Sequence, residues 1–150
     1  MRRSIIRSML SAALAVAVPA AIVTAQAVKP NVKLGLWESV TTMEGMPPSE
    51  PHKMCLTAAK LATGAFDDAP SEECKRTVTS STATSMDVTE ACTSKNDPSM
   101  TGNGTVHIQV VSPESVKGTL ATKMSMAGRS MTMNGTFTSK FISTDCGNVK

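Results

Sequence analysis

The stretch from Thr105 to Met126, TVHIQVVSPESVKGTLATKMSM, constrains the fold more than any other part of the chain. Val106, Ile108 and Val110 alternate with His107 and Gln109, and Val116, Leu120, Met124 and Met126 fall on one face with Lys117 and Lys123 on the other. A period of two over two segments, broken by the turn signal SPES, reads as two antiparallel strands with one apolar face. RSMTMNGTFTSKF continues the pattern and groups Met131, Met133, Phe137 and Phe141. Upstream, CKRTVTSSTATSMDVTEAC reads as a hairpin broken near SSTAT, and GLWESVTTM reads as a first strand.

The remaining segments read as connections. EGMPPSEPHK carries three prolines and is expected to be a loop, and TSKNDPSMTGNG a turn-rich link. CLTAAKLATG is expected to hold one short helix, capped by Thr57 and released by Gly64. The fold class follows: mainly β (α+β), a single antiparallel, curved, meander-like sheet of about six strands, with one short helix in the N-terminal third.

Residues 1–27 carry a basic start, an apolar run too short to span a bilayer, and a small-x-small site at Ala25, Gln26, Ala27. This predicts a signal peptide cut after Ala27, a periplasmic or secreted protein with no membrane anchor after cleavage, and one exported domain over 28–150. The full chain has a net charge of +3, but Arg2, Arg3 and Arg7 lie in the leader, leaving twelve basic residues against twelve acidic ones. A neutral domain gives no electrostatic case for nucleic acid.

The exported domain has Trp37 as its sole Trp, three Phe and no Tyr. A core so thin in large side chains calls for staples. Cys55, Cys74, Cys92 and Cys146 allow three pairings, and no C-x-x-C suggests a zinc ribbon or a redox site. Cys74–Cys92 would join the ends of the hairpin, and Cys55–Cys146 would tie the C-terminus to the start of the domain; that pairing is expected.

Several of these features occur together in one known family. GLWE at the start, MCL before a short helix, the Cys74 and Cys92 bracket, MTGNGTV, GTLATKMSM, a final Met-bearing strand and the terminal DCG resemble domain-of-unknown-function family 3617. The likeness covers Gly35 to Gly147. It implies a small exported bacterial protein and transfers no catalytic residues.

Catalysis has little to build on. His52 lies in the proline-rich segment, His107 falls on a polar face, and G-x-S-x-G and H-E-x-x-H are absent. The protein is expected not to be an enzyme and to need no cofactor. Asp67, Asp68, Glu72 and Glu73 read as a solvated acidic loop. NGT at Asn103 and Asn134 reads as turn and strand chemistry; Asn134-Gly135 is a rival hairpin turn to AGRS, which is preferred because it leaves both flanks with matched apolar faces. Two function classes stand. One is binding, either of a small apolar molecule with Trp37 as a contact or of copper(I) by Met124, Met126, Met131 and Met133. The other is an envelope-interaction protein without a small ligand. A four-residue loop at AGRS would set Met126 across from Met131 and Met124 from Met133, with Leu120 opposite Phe137. Core packing of these methionines is the expectation, since Met fills gaps where aromatics are few.

Overall fold

The computed structural model describes residues 28–65, 74–126 and 128–149. Residues 1–27, where a leader is expected, Phe66 and the acidic residues Asp67, Asp68, Glu72 and Glu73 lie outside them.

Seven antiparallel strands form one curled sheet: β1 (Gly35–Met43), β2 (His52–Leu56), β3 (Cys74–Ser81), β4 (Ser85–Thr93), β5 (Thr101–Ser112), β6 (Ser115–Met126) and β7 (Arg129–Ser143). Their order is β2-β1-β7-β6-β5-β4-β3, so β3 to β7 are a meander onto which the β1–β2 hairpin is added. The expected alternation of β5 and β6 holds: Val106 pairs with Leu120 and Val110 with Val116, and Ile108 and Val116 are buried. β5 also begins earlier than the turn-rich reading of TSKNDPSMTGNG, taking in Thr101 to Gly104.

The seventh strand is β2, where the prolines had suggested a loop and the residues after them a helix. The helix is shorter, α1 (Ala58–Thr63), with both expected caps in place. The Lys60 amide donates to Thr57 Oγ1 at 3.2 Å, and Gly64 exits at a φ of 70°. α1 follows edge strand β2 directly and packs on the other edge strand, β3. It buries Leu61 and sets Gly64 against Val78 and Val88.

The core occupies one end of the curl. Trp37 pairs with Met54 on one side and Phe141 on the other. Leu56, Leu61, Met86, Val88, Ile108 and Val116 complete it, with Val32 of the leading segment packed against it. That segment is anchored by Asn31 donating to the Ala83 carbonyl at 2.9 Å and Lys33 to that of Pro113 at 2.8 Å. The buried Ser139 hydroxyl is hydrogen-bonded to that of Ser39, its partner across β1 and β7.

Both expected disulfides are present. Cys74–Cys92 closes the β3–β4 hairpin between directly opposed residues, and Cys55–Cys146 ties β2 to the segment after β7.

Candidate functional site

The β6–β7 hairpin corrects the methionine reading. Met126 pairs with Arg129, which leaves two residues for the turn, with Gly128 at a φ of 77°. Asn134-Gly135 lies inside β7. Met124 therefore faces Met131, Met133 faces Thr122, Leu120 faces Gly135, and Phe137 faces Gly118. The displacement is an even number of residues, so all four thioethers still share the inner face with Leu120 and Phe137. They do not share its burial. Met124 is 39% exposed, Met126 55% and Met131 62%. Core packing fails for these three, and only Met133 is partly buried.

Their surroundings form a groove of about 950 Å³ at the end of the curl away from Trp37. Met124 and Met126 of β6 and Met131 of β7 supply thioethers from one side, and Gly102 and Gly104 of β5 form the floor. Cys92 brings the disulfide to the wall, Glu90 stands at the inner end, and Arg129 is at the hairpin tip. Met100 is a further thioether that sequence reasoning missed, hidden in the segment read as a connection.

A hydrogen-bonded turn places Met100. Asp97 Oδ1 accepts from the Ser99 amide at 3.0 Å and from its hydroxyl at 2.6 Å, while the Asp97 amide donates to Ser94 Oγ at 3.3 Å. The Met100 amide then donates to the Asp97 carbonyl at 2.9 Å. The Ser99 hydroxyl, and after it the Ser99 amide, hold the Asp97 carboxyl below the usual carboxylate range. Because the folded value is depressed, this support is present above the ordinary carboxylate pKa and is lost as pH falls through the lowered one.

At the groove's inner end, Arg76 Nε donates to Glu90 Oε1 at 3.0 Å, with the two side chains 13% and 22% exposed. Cys74, Glu90 and Cys92 converge there, but both sulfurs are in a disulfide and offer no thiolate. Behind the pair, a cavity of about 140 Å³ is lined by Ser39, His52 and Phe137 among others. His52 is thus the first residue of β2, opposite Ser39 and beside a cavity, where the sequence suggested a loop remote from any site.

Trp37 lies in the core. It is 1% exposed, its indole N–H donates to the Lys33 carbonyl at 2.9 Å, and it lines none of these cavities. The opposite face of the sheet carries a groove of about 750 Å³, rich in threonine. There His107 Nδ1 lies 2.6 Å from Asp87 Oδ1, both side chains being about half exposed (53% and 43%). Asp87 is the sole polar side-chain partner of His107 among the described residues. An exposed pair of this kind contributes little. His107→Ala is expected to change stability by less than about 1 kcal/mol, read as a shift in the urea midpoint; a loss of several kcal/mol would show that the pair organises the sheet.

Comparison with known proteins adds one match. No curated protein and no solved structure matches the chain. The family model described as "Protein of unknown function (DUF3617)" matches residues 28–146. The chain belongs to the DUF3617 family.

Proposed function

We propose that this is an exported, non-enzymatic binding protein that holds a small apolar molecule in the methionine-lined groove. The observation that carries the reading is the groove itself, of a size typical of ligand sites, with thioether walls standing in water. Exposing a row of large apolar side chains costs solubility unless something covers them. Methionine suits the task because its flexible chain adapts to varied shapes. Two disulfides fit the oxidising compartment that the leader implies.

Native mass spectrometry of protein purified from its own envelope, disulfides intact, tests this by the mass of a retained organic ligand. Met131→Asp places a charge in the groove. It is expected to weaken uptake of a neutral apolar dye about tenfold or more while altering stability by no more than about 0.5 kcal/mol. Undiminished uptake would place the site elsewhere.

A second reading draws on the same register. Met124 directly faces Met131, and Met100 and Met126 share the groove, which is a set of soft donors suited to copper(I). The groove brings in no His and no free thiol to strengthen such a site. Capture of one copper(I) against a competing chelator, abolished by Met124→Leu with Met131→Leu, would favour it over the organic ligand. Retention of an envelope protein with neither ligand nor metal would favour the interaction role.

A further inference from the structure

We propose that the occupant is a long-chain fatty carboxylate, its tail on the Gly102–Gly104 floor and its carboxylate at Arg129. This rests on the binding role proposed above and names its ligand class. The glycines carry the tail assignment. Glycine inside a strand is costly, because it loses the most chain entropy and packs nothing. Elsewhere in this sheet the fold demands it: a Cβ on Gly118 would lie 2.4 Å from the His107 carbonyl oxygen, and one on Gly135 would lie 2.9 Å from that of Thr42. Gly102 and Gly104 have no such reason. A Cβ on Gly102 would meet nothing nearer than Cys92 Cβ at 3.8 Å, and on Gly104 nothing nearer than Thr122 Oγ1 at 3.5 Å. Neither has a positive φ. Side chains would fit at both positions, and they would fill the groove.

The bare floor lies on β5 between side chains of β4 and β6. Neighbouring strands are about 4.8 Å apart, so the two banks stand about 10 Å apart, backbone to backbone. Once the bank side chains are subtracted, the trough is about one hydrocarbon chain wide. Thioethers that can follow a flexible chain border it.

Charge assigns the head. Glu90, at the inner end, is neutralised by Arg76. Arg129, at the outer end where the hairpin overhangs β5, forms no ion pair among the described residues. The groove therefore has an uncompensated positive charge at its mouth, where an anionic head stays hydrated while its tail is covered.

The test uses the full disulfide-bonded protein loaded with the neutral dye N-phenyl-1-naphthylamine and challenged with palmitate, methyl palmitate and hexadecylamine. Palmitate is expected to displace the dye at about tenfold lower concentration than the ester, an advantage that shrinks at about 0.5 M salt. Arg129→Glu should reverse the order, making the amine the best competitor. Gly104→Val should weaken all three competitors and the dye while holding or raising stability, since valine suits a strand; if that variant does not fold, Gly102→Ala provides the smaller obstruction. Equal displacement by carboxylate and ester, or an order unmoved by Arg129→Glu, overturns the head assignment while leaving the groove as an apolar site. Full uptake by both glycine variants overturns the tail assignment. Failure of the wild-type protein to take up dye or any of the three chains overturns this inference together with the apolar-ligand role.

Discussion

Alanine at both Cys55 and Cys146 is expected to lower the free energy of unfolding by about 4–5 kcal/mol, against about 3 kcal/mol for the Cys74–Cys92 pair. The two bonds span 91 and 18 residues, and a longer closed loop removes more freedom from the unfolded chain. The folded side points the same way. Among the described residues β2 is an edge strand paired only with β1 over five residues, yet it supplies Met54 and Leu56, which are almost wholly buried. Cys55 is what fastens that strand to the chain beyond β7. Cys74–Cys92 instead links two strands already paired along their length. A domain of this size has about 5–15 kcal/mol in total, so at the low end of that range the first loss removes nearly all of it and the second leaves about 2 kcal/mol. Urea denaturation of each double mutant measures both. Equal losses would show that β2 is held by its packing alone.

How much of this was legible in the sequence depends on whether local order decides the matter. The alternation of Val106, Ile108 and Val110 fixes a strand and its buried face, and Thr57 and Gly64 announce both ends of α1, because each signal acts within a few residues. β2 was not legible. HKMCL is short, follows three prolines and precedes good helix formers, and it is a strand because Met54 meets Trp37 across β1. That partner is local to no window of sequence. The methionines show a second limit. Alternation tells which face Met124 and Met131 take, and that was right, but it does not tell depth. The leading segment and α1 fill the end of the curl that holds Trp37, while the β6–β7 hairpin runs past Thr101, the start of β5. Side chains of one apolar face therefore end in core at one end and in an open groove at the other. Gly102 and Gly104, read as turn residues, gain their meaning only once β5 is seen to include them.

Trp37→Ala is expected to cost about 3–5 kcal/mol. Trp37 sits in the row Met54–Trp37–Phe141, and its ring meets that of Phe141 edge-on, centroids 5.9 Å apart at 74°. Truncation would leave a cavity among Met54, Phe141 and their neighbours, and would strip the Lys33 carbonyl of the indole N–H. Trp37→Phe separates the two losses: it restores much of the apolar volume and still leaves that carbonyl without its donor, so it should cost about 1–3 kcal/mol. Because the indole lies at the end of the curl away from the groove, the Phe variant should take up apolar dye in proportion to its folded fraction. A drop in uptake beyond the unfolded fraction would mean that Trp37 shapes the groove through the sheet. The two ends of the inner face would then be one site, not a core joined to a separate binding mouth.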